Sequence, residues 1–193
     1  MITKKKIIAI ILARSGSKRL KFKNIKIFNG KPLFIWSMVS AYKSKYIDKI
    51  YLSTDSKKIN EIAKKNGFII NELRNKKLSL DQTSSADVIF DILGKIKNKF
   101  DFFILLQPTS PLRLSRDIDY AIKKFVFKNC NSLISVNSSN NKVNGAIYIQ
   151  KIKYFMKHKK FKYKNTFFYK MSKERSIDID TKKDFDKALK INF

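Results

Sequence analysis

The chain has 193 residues, 44% hydrophobic and 13% aromatic, with five glycines and three prolines; that is enough apolar material for one well-buried domain and excludes disorder, collagen-like repeats and flexible linkers. Lys and Arg number 43 against 15 acidic residues, a formal charge of +28, which invites a phosphate-bearing partner, although lysines spread over every segment also fit compositional drift and solvated faces better than a clustered nucleic-acid surface. One cysteine, Cys130, and one histidine, His158, exclude an internal disulfide framework, multi-cysteine zinc patterns and zinc sites that need two imidazoles.

The basic start and the apolar run Ile7 to Ala13 superficially mimic a signal peptide. Arg14, Lys18, Arg19, Lys21 and Lys23 then stand where a small-residue cleavage site would follow, and seven apolar residues cannot span a bilayer, so a reducing, cytoplasmic location is expected. Ile7 to Leu12 is a continuous β-branched run, the pattern of a strand buried on both faces of a parallel sheet. Pro32 suits the first turn of a helix carrying Leu33, Trp36 and Val39. Ile50 to Ser53 predicts a short strand, and Ser56 an N-cap before a helix with Ile59, Ile62 and Ala63 that Gly67 closes. Phe68 to Ile70 reads as a third strand, followed by a helix from Ala86 with Ile89, Ile92, Leu93 and Ile96 on one stripe.

Phe102 to Leu106 predicts another strand, and a helix begins near Ser115 with Asp117 in its first turn, burying Ile118, Ile122, Phe125 and Val126. Leu133 to Val136 is a strand, residues 137–141 have loop composition, and Ala146 to Ile149 is a strand again. Lys151 to Tyr169 is basic and aromatic without a clear period, and a last helix, Thr181 to Ile191, should lay Phe185, Ala188 and Leu189 on the core. Strands alternating with helices predict an α/β fold, a doubly wound, mostly parallel sheet in one domain over residues 1–193. Ligands of such sheets bind at the carboxyl ends of the strands, so polar residues just after strands are the informative ones.

Three stretches meet that condition. The loop Ala13 to Asn24 gathers five cations, Ser15 and Ser17 around Gly16; backbone N–H groups and cations there suit a triphosphate, or form a merely solvated basic loop. It is neither a Walker A loop nor a Gly-x-Gly-x-x-Gly turn. In Ser176-Ile177-Asp178-Ile179-Asp180 an extended backbone puts both carboxylates on one side. Such a pair without His or Cys suits Mg²⁺, while the plainer reading makes Asp180 or Thr181 the N-cap of the last helix. Gln107 stands at a strand tip in a turn stiffened by Pro108 and Pro111, placed to read hydrogen bonds or simply to turn the chain. Asn144-Gly145 alone reads as a turn.

Taken in order, Ala13-Arg14-Ser15-Gly16-Ser17-Lys18 with Lys23-Asn24, Ser53-Thr54-Asp55-Ser56, Leu105 to Arg113, Asn144-Gly145-Ala146-Ile147-Tyr148 and Ser176 to Asp180 resemble the acylneuraminate cytidylyltransferases, the CMP-sialic acid synthetases, nearly end to end. The resemblance implies a nucleotidyltransferase fold, Mg²⁺ as cofactor, and the reaction of CTP with a sialic-type sugar acid to give a CMP-sugar and pyrophosphate. By the same resemblance Ala13, Arg14, Ser17, Lys18, Lys23 and Asn24 would hold CTP and its phosphates, with Lys23 also serving catalysis, and Arg74 and Ser85 would lie near the base. Gln107 and Asn144 would contact the sugar acid, Phe161 its acyl group, and Asp178 and Asp180 the metal. The family's dimerisation arm, between the strand at Leu133 and the Asn-Gly pair, shrinks here to residues 137–143. The usual homodimer and a sugar site completed by a neighbouring chain are therefore not expected. The alternatives are a family member that binds CTP with little turnover, and a basic nucleic-acid-binding protein.

Overall fold

The computed structural model describes residues 5–17, 19–69, 73–96 and 100–191. β1 (Ile7–Leu12) is buried along nearly its whole length, and its alternation feeds two cores. Ile7, Ala9 and Ile11 meet α1 (Leu33–Tyr42), α2 (Lys57–Lys65) and α4 (Ser115–Phe127). Ile8 and Ile10 meet α3 (Ser85–Lys95) and α5 (Ile152–His158). Helices thus cover both faces of the sheet, which is why β1 carries no polar residue.

The remaining strands are β2 (Ile27–Phe28), β3 (Lys31–Pro32), β4 (Lys49–Ser53), β5 (Phe102–Leu105), β6 (Ser132–Asn137), β7 (Val143–Lys151) and β8 (Phe167–Met171). The main sheet has the order β4-β1-β5-β7-β6-β8, with β2 and β3 forming a separate hairpin. β1 runs parallel to β4 and β5, β6 runs parallel to β8, and only β7 is reversed, antiparallel to both its neighbours. Because β4 and β5 lie on opposite sides of β1, the connections switch direction there and open a crevice at the carboxyl ends of β1 and β5. The reversed β7 delivers its first residues, Asn144 and Gly145, to the same edge. A third apolar cluster joins Phe28, Leu33, Leu112 and Ile179 to Phe185 and Ala188 of α6 (Lys182–Leu189), tying the C-terminal Asp-Ile-Asp segment to the β2–β3 hairpin.

Four expectations change. Phe68 and Ile69 form no strand, Ile69 is 95% exposed, and Ile70 lies outside the described residues. Gly67 takes φ +82°, its N–H donates to Lys64 O and that of Phe68 to Ala63 O, so Gly67 and Phe68 close α2 at its C-terminal end and no strand starts there. Leu189 is 42% exposed because α6 packs through Phe185 and Ala188 and ends there. The unread stretch after Lys151 contains α5 and the edge strand β8. Asn144-Gly145 is part of β7 rather than a turn, with Gly145 at φ +73° and the β6–β7 register shifting beside it. β6 and β7 are joined directly by residues 138–142, closed by Asn137 N–H to Lys142 O and Asn141 N–H to Asn137 O. Among the described residues, no helix is long and apolar enough to cross a membrane.

Candidate active site

Local hydrogen bonds give the loop after β1 its shape. Ala13 is buried and its N–H donates to Ser53 O at 2.9 Å, prolonging the pairing with β4. Ser15 then donates through its N–H and hydroxyl to the two carboxylate oxygens of Asp55, at 2.8 and 2.9 Å. The loop ends in a short 3-10 turn at Lys23–Ile25, and there Asn24 Nδ2 donates back to Arg14 O at 2.8 Å. The segment's last residues are therefore fastened to its first, and Arg14, Arg19 and Lys23 emerge on one cleft, while Lys21 lines a separate depression with Phe22 and Ile25.

Those side chains meet carboxylates from far along the chain. Lys23 Nζ lies 2.8 Å from Asp180 Oδ1, and Arg19 reaches Asp180 Oδ2 at 3.0 Å. Lys23 is mostly covered while Arg19 is mostly open to solvent, so the Lys23 pair is the less screened of the two. Arg14 pairs with Asp81 at 2.9 Å. Arg74 donates from Nε to Ser53 Oγ at 2.9 Å and from Nη2 to Ser53 O at 2.7 Å. Burial lowers its pKa, with Asp55 opposing that shift and Arg14 adding to it.

Asp178 stands beside this group in a different state. Its surroundings strip water from the carboxylate and raise its pKa, against a stabilising hydrogen bond from Thr109 and with a further upward push from Asp180. The residue still keeps an open side toward solvent. The helix-cap alternative is settled by Thr181: its hydroxyl accepts from Asp184 N–H at 3.2 Å and donates to the Asp184 carboxylate at 2.7 Å. Asp180 is left facing the cations. Ile179 N–H donates to Thr109 O at 2.8 Å, which registers the Asp-Ile-Asp segment against the Gln107 turn.

Arg14, Ser17, Lys23, Asn24, Arg74, Ser85, Gln107, Asp178 and Asp180 line one cleft of about 680 Å³ at the expected crevice. The cleft floor is apolar, with Leu12, Val88 and Leu105. Three expected residues lie elsewhere. Ala13 is fully buried and does not line the cleft. The Asn144 side chain is consumed by a buried network: its Oδ1 accepts from Ser135 Oγ at 2.6 Å and from Ala146 N–H at 3.1 Å, and its Nδ2 donates to Ser176 Oγ at 2.9 Å. Phe161 stacks on Tyr148 and Phe155, with ring centroids at 5.2 and 5.6 Å, and is not on the cleft wall. Lys18 lies outside the described residues. Sequence reasoning assigned no role to four residues that the structure adds, Arg19, Asp81, Thr109 and Gly145. Arg19 and Thr109 sat inside stretches already singled out, whereas nothing marked Asp81. A Cβ on Gly145 would stand 2.5 Å from Gln107 Oε1 and 3.4 Å from Asp178 Oδ2, so glycine lets β7 come against both side chains.

Among the described residues no group of three or more His, Cys, Asp or Glu is arranged to hold a metal. Asp178 and Asp180 nonetheless form an oxygen-only pair whose mutual repulsion a hard divalent cation would relieve, its remaining positions being filled by water and phosphate oxygens.

The family model described as Cytidylyltransferase matches residues 8–192. The N-acylneuraminate cytidylyltransferase of Escherichia coli O18:K1:H7 is 34% identical over 96% of this chain and 52% of its own length. The chain thus spans about half the length of the N-acylneuraminate cytidylyltransferases it matches. The CMP-N,N'-diacetyllegionaminic acid synthase of Legionella pneumophila is 32% identical over 97% of both chains. Among solved structures, the CMP:2-keto-3-deoxy-manno-octonic acid synthetase complexed with CTP superposes with a TM-score of 0.76 at 13% identity, covering 95% of this chain and 97% of that one, a likeness of fold. With the family match running over residues 8–192 and a relative aligned over 97% of both chains, the chain belongs to the cytidylyltransferase family.

Proposed function

We propose that this chain transfers CMP from CTP to a nine-carbon sugar acid of the sialic, legionaminic or pseudaminic type, releasing pyrophosphate. The observation that carries the reading is the cleft lined together by Arg14, Arg19 and Lys23 from the loop after β1, by Gln107 and by the pair Asp178 and Asp180. Arg14, Arg19 and Lys23 already sit in ion pairs with Asp81 and Asp180. A triphosphate entering the cleft offers those cations better acceptors, and the exposed pairs exchange at little cost because solvent already weakens them. Ser17 and Asn24 add neutral donors, and Arg74 and Ser85 stand where they can meet the rest of the nucleotide.

Asp178 and Asp180 would hold Mg²⁺, which when bound supplies positive charge beside the phosphate oxygens. Gln107 would orient the sugar acid so that its anomeric hydroxyl faces the α-phosphorus. A new O–P bond would form there as the hydroxyl proton passes to water in the open cleft and the bond from the α-phosphorus to the bridging oxygen breaks, pyrophosphate leaving with that electron pair. Lys23, more sheltered from water than Arg19, would stabilise the charge that develops on the transferring group. The direct β6–β7 hairpin leaves no length for an arm, so the chain would bind its sugar acid without residues from a neighbour. It would work in the cytoplasm, where CTP is made available.

Incubation with CTP, Mg²⁺ and each of N-acetylneuraminic, N,N'-diacetyllegionaminic and pseudaminic acid tests this. Pyrophosphate and a CMP-sugar of the matching mass are expected with one of them, and none without CTP. CTP binding by calorimetry with no product from any acid would leave a CTP-binding chain without transferase activity. Tight, steeply salt-dependent association with RNA in place of CTP binding would favour the basic nucleic-acid reading.

A further inference from the structure

Behind the cleft lies a guanidinium that this scheme does not use. Arg113 is 2% exposed and is among the largest fully buried side chains of the protein. Among the described residues it makes no ion pair. Asp117, the acid nearest in effect, is engaged by Leu114 N–H and Arg175 Nε at 3.0 Å each. Arg113 donates instead to neutral oxygens: Nη1 to Ala146 O at 2.8 Å and Gln107 O at 3.4 Å, Nη2 to Ser37 Oγ at 2.7 Å and Ser40 Oγ at 3.4 Å. Its Nε has no acceptor among the described residues, so the side chain is turned to serve its two outer nitrogens.

A buried cation held only by neutral acceptors is a costly way to fill space, and an apolar side chain of similar volume would ordinarily do as well or better for stability. The oxygens it holds explain the arrangement. They come from the tip of β5, from β7 and from α1, and Ser37 Oγ, which accepts from Arg113, donates in turn to Gln107 O at 3.0 Å. Gln107 is thus held from behind through its carbonyl, while its amide lies against Gly145, the residue next to the other carbonyl that Arg113 grips. The fork of the guanidinium spans two strands that run in opposite directions, at the place where a side chain on Gly145 would collide with Gln107.

We infer that Arg113 is a positioning residue that acts through the carbonyl oxygens of Gln107 and Ala146 to hold the Gln107 amide in place for the sugar acid, leaving the nucleotide's affinity untouched. This rests on the reading of Gln107 as a contact to the sugar acid. An apolar replacement frees both carbonyls and lets the Gln107 turn drift from Gly145. A lysine keeps the charge but cannot reach two strands with one planar fork.

The test measures KM for whichever of the three acids supports turnover, with CTP binding by calorimetry in parallel, for Arg113→Met, Arg113→Lys, Gln107→Ala and the double variant Gln107→Ala with Arg113→Met. Arg113→Met is expected to raise the acid KM about tenfold or more and to leave the CTP Kd within about twofold, with Arg113→Lys intermediate. In the Gln107→Ala background the Arg113 change should add little, because both act on one contact. Should Arg113→Met not fold, Ser37→Ala, which removes the hydroxyl shared by Arg113 and Gln107, is expected to raise the acid KM a few-fold with the CTP Kd unchanged. Equal losses for CTP and acid, fully additive losses in the double variant, or no change in acid KM would each overturn the inference while leaving the parent activity standing. A wild-type chain that turns over none of the acids would remove the parent reading and this inference with it.

Discussion

The two sides of the cleft are built on opposite electrostatic principles. On the side proposed for phosphate, Arg14 and Arg19 meet Asp81 and Asp180 in pairs that solvent reaches, with Lys23 the sheltered second partner of Asp180; on the side proposed for the acceptor, Arg113, Ser37, Asn144 and Ser176 are buried and hydrogen-bonded to fixed partners. Charges of the first kind are nearly free to change partners, because water already screens them. Polar groups of the second kind lose about 1–3 kcal/mol each when a partner is removed, because nothing replaces it. The first arrangement suits a side that would exchange its ligands, as proposed for phosphate, and the second a side that would hold its shape meanwhile.

Several measurements would break or sharpen this contrast. Asp178→Asn carries the largest expected effect: turnover should fall on the order of 100-fold or more, since positive charge held there matters most as the transition state forms. Its CTP affinity should fall far less, and parallel losses in pyrophosphate release and calorimetric affinity would contradict the assignment. Lys23→Ala should weaken CTP binding roughly 10- to 100-fold, the worth of a charge-assisted hydrogen bond of about 1.5–3 kcal/mol. Arg19→Ala, at the more exposed partner of the same carboxylate, should cost less than about 1 kcal/mol. Calorimetry that found Arg19 the stronger of the two would reverse our ranking by burial.

On the acceptor side, Gly145→Ala places a Cβ 2.5 Å from Gln107 Oε1 at a φ of +73°. Stability should drop by about 1–2 kcal/mol from the left-handed conformation alone, seen as a lower thermal midpoint, with the acid KM rising and CTP binding kept. The smallest effect concerns acid stability away from the cleft. Lys159 and the Ser84 cap lower the Asp87 pKa from 3.8 to about 2. A lowered carboxylate stabilises the fold above its unfolded pKa, and that contribution is lost as pH falls from 3.8 toward about 2. Asp87→Ala should therefore flatten the decline of the thermal midpoint over that interval. An unchanged slope would show that these contacts do not bind the carboxylate more tightly than water does.

Much of this was legible residue by residue. The unbroken apolar run of β1 could only be a strand covered on both faces, and Ser56 and Thr181 stood at their helix starts because a side-chain oxygen there satisfies an otherwise orphaned N–H. The loop cations and the Asp178–Asp180 pair were visible as charges, each with a plainer reading as a solvated loop or a helix cap, and the cleft they share is a property of the fold. Phe68 and Ile69 misled because two apolar residues after a glycine look the same whether they begin a strand or close a helix, and the hydrogen bonds of Gly67 and Phe68 to α2 decide it. Asn144 misled differently. Its amide suits a ligand, but Ser135 and Ala146 N–H fill its oxygen and Ser176 takes its nitrogen inside the buried network.

What the sequence determined alone was therefore β1, β4, β5 and β6 with the helices α1 to α4 and α6, and the presence of the cationic loop and the carboxylate pair, because periodicity, capping and charge are local properties. Which cation faces which carboxylate, the reversal of β7 that brings Gly145 against Gln107, and the use of Arg113 as a buried clamp were decided only by the folded chain. Each depends on residues tens of positions apart meeting at the end of one sheet, and such a meeting leaves no trace in local pattern.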